Sequence, residues 1–166
     1  MSGRKSRAAA KPGSPTPSVA QRVATAGGLG RVPGAPGTVG SLVGVALGAP
    51  LLALGWPVHL AATVAVCGAA LTVSGRAAAE LGQPDPPQVI IDEIAGMCVA
   101  LWGLPLQWYD VGAVFLLFRL FDIVKPAPIP RLERLPGGLG IVADNIATGL
   151  LARVTWWLLK ANFDFL

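Results

Sequence analysis

The chain has 166 residues, 53% of them hydrophobic and only 13% charged, with a formal net charge of +4. That composition and a mean hydropathy above zero exclude an ordinary soluble domain and point to a single membrane domain. The positive charge is no nucleic-acid signature: residues 1–31 hold Arg4, Lys5, Arg7, Lys11, Arg22 and Arg31 without an acid or interleaved aromatics, while the rest has seven basic and nine acidic residues.

Residues 1–20 are rich in Ala, Pro, Ser, Gly and basic side chains and contain no apolar run of about 7 to 15 residues. They are expected to be a disordered basic cytoplasmic tail, attracted to anionic headgroups, and residues 21–166 the membrane domain. GLGRVPGAPGTVGS, from Gly28 to Ser41, is broken by Gly and Pro before about Thr38, and an apolar helix follows it, capped by Thr38 or Ser41. Gly55-Trp56-Pro57 is a tight turn before a second apolar helix to about Val73, and Arg76 to Pro87 is a polar connection. A third helix starts near Gln88 or Val89 and breaks around Pro105. A fourth runs from Trp108 to Val124, stopped by Pro126. Lys125 to Gly140 is a Pro- and Gly-rich loop, and the last helix covers about Asp144 to Lys160. The expected fold is all-α, a small multi-pass membrane bundle with four or five apolar helices, several shorter than the roughly 20 residues of a full span. Abundant Gly and Ala in those segments favour tight packing.

Arg76, Lys125, Arg131 and Arg134 fall in the loops that share a side with the basic tail, whereas the opposite turns at Gly55 to Pro57 and Pro105 to Gln107 have no Lys or Arg. The bias places the tail and those loops in the cytoplasm. It also brings to one face the Gly-rich stretch, Asp92 and Glu93, the helix end with Arg119, Asp122 and Lys125, and Asp144 with Asn145. Acids at membrane depth persist where they pair, meet water or do chemistry.

Each feature alone has a plainer explanation. Arg119, Asp122 and Lys125 at i, i+3, i+6 share one helix face and can simply pair, Asp92 and Glu93 favour a helix N-terminal turn, and Asp144 or Asn145 can be a cap. Together they supply hard oxygen ligands without His or Cys, the set Mg²⁺ selects. Arg31, Arg119 and Lys125 supply cations for phosphate oxygens, and the loop glycines let backbone N–H groups approach the same anion. The pattern points to metal-assisted phosphoryl chemistry. His59, the only histidine, is expected on the far side as an interfacial residue, which excludes a two-histidine phosphatase. Neither a Cys-x₅-Arg loop nor an Asp-x-Asp motif is present. Cys67 and Cys98 lack ligand-spaced partners and are expected to be reduced core residues, and Trp56, Trp102, Trp108, Trp156 and Trp157 to be interfacial anchors.

Four ordered blocks resemble the phosphatidylglycerophosphatase A family of bacterial membrane lipid phosphatases: GLGRVPGAPGTVGS, DPPQVIIDEIAGM, FRLFDIVKPAPI and GGLGIVADNIATG. The resemblance covers about Leu29 to Gly149. It implies a Mg²⁺-dependent phosphomonoesterase of the inner membrane, multi-pass, with a cytoplasm-facing site that converts phosphatidylglycerophosphate to phosphatidylglycerol. Carried onto matching positions, it assigns catalysis to Asp92, Asp122, Asp144 and Lys125. Together with the chemistry of the residues themselves it makes Arg31, Arg119, Lys125, Gly37 and Thr38 the candidate phosphate-binding residues and Asp92, Glu93, Asp122 and Asp144 the candidate metal ligands, with Asn145 offering a neutral oxygen. Two departures stand out: the family commonly has two acids where this chain has Asp144-Asn145, and Asp-Arg where it has Glu133-Arg134. The expected partners are the phospholipid substrate and the bilayer, with no nucleic acid. The rivals are a small transporter or channel component, whose acids would be distributed across the bilayer depth, a non-catalytic scaffold, and a CDP-alcohol phosphotransferase, whose four-Asp signature cannot be written onto this chain.

Overall fold

The computed structural model describes residues 16–162. Among them are six α-helices and no strand: α1 Val19–Ala24, α2 Pro36–Leu52, α3 Trp56–Leu81, α4 Ile91–Ala100, α5 Trp108–Val124 and α6 Gly138–Asn162. Two 3₁₀ stretches, Ala26–Arg31 and Ile129–Arg134, lie in the connections. The expected disordered tail lies outside the described residues as far as residue 15. Its last two residues, Val19 and Ala20, already belong to α1, which Ser18 caps by accepting from the Gln21 N–H at 3.1 Å.

Three expected boundaries move. The first apolar helix starts at Pro36, with no side-chain cap, because proline fits the first helical turn where no backbone donor is needed. The second runs to Leu81 and not Val73: Arg76, Ala77, Ala78, Ala79 and Glu80 are good helix formers, and Gly82 in the left-handed conformation ends it. The last begins at Gly138, so Asp144 and Asn145 sit in its second turn and cap nothing. The fourth helix is found at its expected limits.

The largest departure is α4. Ten residues at about 1.5 Å each rise only about 15 Å, half the thickness of a bilayer core. Eight of the ten are buried, and α2, α3, α5 and α6 all pack on it. It is an enclosed half-length rod, shorter than the helix the sequence predicts from Gln88 or Val89 to about Pro105. Among the described residues only Trp56–Leu81 is by itself long and apolar enough to cross a membrane, with Pro36–Leu52 a shorter apolar helix. Helix length therefore does not reproduce four or five apolar spans. The outward faces of α2, α3, α5 and α6 are nonetheless apolar, with Leu42, Val64, Leu116, Ile123, Leu150 and Trp157 exposed.

Small residues let the rod sit so deep. Gly40, Gly44 and Gly48 recur every four residues along α2 and face Ile90 and Glu93, then Ile94 and Met97, then Cys98 and Leu101, a parallel register. A Cβ on Gly44 would lie 2.6 Å from Met97 Cβ. On the other side, a Cβ on Gly149 of α6 would lie 2.2 Å from the Gly96 carbonyl oxygen. Small-xxx-small spacing allows such close approach. Two apolar clusters hold the ends of the rod: Ala70, Ala77, Ile91, Ala95 and Val142 toward its start, and Met97, Leu101, Val114, Phe118 and Trp156 toward its end.

Candidate active site

The start of α4 fixes the site. The segment from Pro84 to Ile90 folds down onto it, held where the Ile90 N–H donates to the Ala24 carbonyl at 2.9 Å. Asp92 and Glu93, in the first turn of α4, stand where a helix N-terminus favours negative charge. Their side chains point into a cavity of about 220 Å³ between helices, which is how two adjacent residues serve one space. Arg119 and Asp122 from the end of α5, Lys125 just beyond it, Asp144 and Asn145 from α6, and Gly37 from α2 complete the wall.

The charges are interleaved. Arg119 Nη1 donates to Asp122 Oδ2 at 2.6 Å and reaches Ser41 Oγ at 3.5 Å. Asn145 Nδ2 donates to Asp92 Oδ2 at 2.8 Å. Lys125 departs from the expected helical face: it adopts the left-handed conformation, φ 47°, before Pro126, and its Nζ turns to Asp144 Oδ2 at 2.9 Å and to Glu133. Left-handed backbone on a lysine costs about 1–2 kcal/mol, the kind of local strain that collects at working sites. Partial burial alone would lower the Lys125 pKa, but the hydrogen bonds and charges of Glu133 and Asp144 outweigh it and hold the ammonium above its usual range.

Gly37 is needed for close approach, since a Cβ there would lie 2.9 Å from Glu93 Oε1 and 3.0 Å from Arg119 Nη1. Two expected phosphate ligands fall elsewhere: Arg31 lines a neighbouring cavity, and Thr38 lines neither. Three participants were not expected. Asp85, which lines the cavity, carries no spacing signal, Ser41 is expected only as a helix cap, and Glu133 stands out only as a departure from the family pattern. The Pro-Asp-Pro-Pro context of Asp85, a rigid turn holding an acid, was the available clue.

Asp92 Oδ1, Glu93 Oε2 and Asn145 Oδ1 are buried and have no partner within the protein. These hard oxygens are the atoms able to take a divalent cation. Among the described residues no three His, Cys, Asp or Glu side chains converge into a complete metal cluster, so an ion there would need the Asn145 amide, water or phosphate oxygens as well.

Two other expectations change. His59 is fully buried, with both ring nitrogens unpaired and Nε2 close beside Gly48, so it is a core residue and not an interfacial one. Trp156 is buried too, its indole N–H donating to Asp110 Oδ1 at 2.7 Å, whereas Trp56, Trp102, Trp108 and Trp157 are exposed.

Residues 22–160 match the family model for phosphatidylglycerophosphatase A. A phosphatidylglycerophosphatase A of Haemophilus influenzae is 35% identical over 80% of this chain and 86% of its own length. One of Escherichia coli is 33% identical over 75% of this chain and 74% of its own length. A putative phosphatidylinositol-3-phosphatase of Bacteroides thetaiotaomicron is 33% identical over 82% and 93%. No solved structure matches. Helices that bring four acids and two bases to one polar cavity, in a chain with these relatives, define a lipid phosphatase. The chain belongs to the phosphatidylglycerophosphatase A family.

Proposed function

We propose that the chain is a multi-pass enzyme of the bacterial inner membrane that hydrolyses the terminal phosphomonoester of phosphatidylglycerophosphate at the cytoplasmic face, with Mg²⁺ as cofactor. The observation that carries this reading is the cavity itself, where the unpartnered oxygens of Asp92, Glu93 and Asn145 face a wall that also holds Arg119 and Lys125. Exposed apolar faces on α2, α3, α5 and α6 support a bilayer around the bundle. Arg31, Arg76, Lys125, Arg131 and Arg134 all belong to the site end, which supports its cytoplasmic placement.

Asp92, Glu93 and Asn145 would hold the ion, with water and phosphate oxygens completing its shell and Asp122 and Asp144 adding negative charge nearby. When bound, Mg²⁺ would neutralise phosphate charge and make a water more acidic. Arg119 presents a planar fork to two phosphate oxygens, and Lys125 a point charge to a third. As the P–O bond to the lipid alcohol breaks, both cations offset charge on the equatorial oxygens. A cavity carboxylate accepts the proton of the attacking water and passes it to the leaving oxygen, so that the lipid departs as a neutral alcohol. Asp122 holds the Arg119 guanidinium in place, and Asp144 with Glu133 does the same for Lys125. The diacylglycerol part stays in the bilayer throughout.

Phosphate release in neutral detergent micelles, with Mg²⁺ or with EDTA, tests this reading. Release from phosphatidylglycerophosphate that stops in EDTA is expected. EDTA-resistant release would remove Mg²⁺ from the account. A folded protein that cleaves only an inositol phospholipid, the substrate class in the name of the Bacteroides relative, would replace the substrate.

A further inference from the structure

A second cavity, of about 560 Å³, opens beside the acidic one. The two share Pro87 and are divided by single residue steps: Pro36 borders the larger and Gly37 the smaller, Gln88 the larger and Val89 the smaller. Their sizes suit different tasks. Small-molecule sites run from roughly 300 to 1,000 Å³, so the acidic cavity is too small for a whole lipid headgroup and the larger one is not.

Their charges differ as well. Arg119 and Lys125 in the acidic cavity are tied to Asp122, Asp144 and Glu133, whereas among the described residues Arg31 forms no ion pair. Arg31 is exposed in the larger cavity, near Gly34. Beside it Gln88 has a buried Oε1 with no donor, an acceptor that a hydroxyl group would satisfy.

A headgroup that ends in a phosphomonoester and joins the lipid through a phosphodiester carries two anions separated by a glycerol bridge. We propose that the larger cavity receives the inner part of that headgroup, Arg31 pairing with the diester phosphate and Gln88 accepting from the glycerol hydroxyl, while the terminal phosphate occupies the acidic cavity. This rests on the acidic cavity being the phosphomonoester site. A guanidinium fork matches the two free oxygens of a diester phosphate. Arg31 then contributes nothing to a lipid monoester that has no second phosphate, which makes it a specificity determinant.

Two inhibitors separate the halves of the headgroup. Phosphatidylglycerol keeps the diester and glycerol but lacks the terminal phosphate, and inorganic phosphate is the reverse. With phosphatidylglycerophosphate as substrate in neutral detergent, Arg31→Gln should raise KM and the inhibition constant of phosphatidylglycerol about tenfold or more. The inhibition constant of inorganic phosphate should stay put. Arg31→Lys should restore part of the loss, and Gln88→Leu should move the same lipid constants by less. A parallel rise in the phosphate constant would assign Arg31 to the terminal phosphate and overturn the proposal, as would an unchanged phosphatidylglycerol constant. If the wild type releases no phosphate, the substrate reading alone has failed. Calorimetric binding of phosphatidylglycerol and of phosphate then makes the same comparison, with the same two overturning results.

Discussion

The two ends of the bundle each bury an acid, and they use it differently. At the far end Asp110 is fully buried in the first turn of α5, with Trp156 Nε1 at 2.7 Å and Lys160 Nζ at 2.9 Å on one oxygen. Lys160 also lies over the Tyr109 ring at 5.5 Å, and Arg153 on the same helix clamps the carbonyls of Trp102 and Gly103. These contacts tie α6 to the start of α5 and to the end of the central rod. Asp110 Oδ2 has no partner either, but Asp110 does not line the acidic cavity; at the near end Asp92, Glu93, Asp122 and Asp144 line that one cavity, with bases between them. A buried acid in an apolar bundle is therefore not a site by itself; convergence on an open polar space is the distinguishing feature.

Substitutions at the two ends should separate activity from stability. Asp122→Asn releases Arg119 from its carboxylate and should lower the rate of phosphate release by on the order of 10²- to 10³-fold with little change in Tm. Asp110→Ala leaves the Trp156 N–H and the Lys160 ammonium without their acceptor and should cost about 2–3 kcal/mol, read from unfolding in detergent, since Lys160 is partly solvated. Between the ends, Gly149→Ala forces a Cβ against the Gly96 carbonyl and should cost about 1–3 kcal/mol by prising α6 from the rod. It should lower activity too, because Asn145 rides on the same helix. The mildest change is Gly112→Ala, where α5 has open space: it should stabilise by about 0.5–1 kcal/mol through helix propensity and leave turnover alone.

The near end was more legible in the sequence than the far end, for a physical reason. Acids placed at helix ends beside Gly- and Pro-rich loops stand out against an apolar background, so Asp92, Glu93, Asp122, Lys125, Asp144 and Asn145 could be picked out as candidates and are found around one cavity. Asp110 also opens a helix after a Gly- and Pro-containing turn, but among the described residues it is the lone acid at that end, and its partners Trp156 and Lys160 lie some fifty residues away. The limits of α5 were readable because Trp108 and Pro126 bracket an unbroken apolar run. The enclosed state of α4 was not, because a short apolar segment looks alike whether lipid or protein surrounds it. Arg31 was legible as a basic residue near a Gly-rich loop, but assigning it to a particular cavity required the fold of the Pro84 to Ile90 segment against α2.

The most direct test of the division between the two ends is a side-by-side measurement of phosphate release and Tm for Asp92→Asn and Asp110→Ala. Asp92→Asn keeps an acceptor for Asn145 and should lose turnover with Tm nearly unchanged, whereas Asp110→Ala should lose Tm while the remaining folded protein still releases phosphate. Full turnover in Asp92→Asn, or loss of turnover in a folded Asp110→Ala protein, would contradict the account.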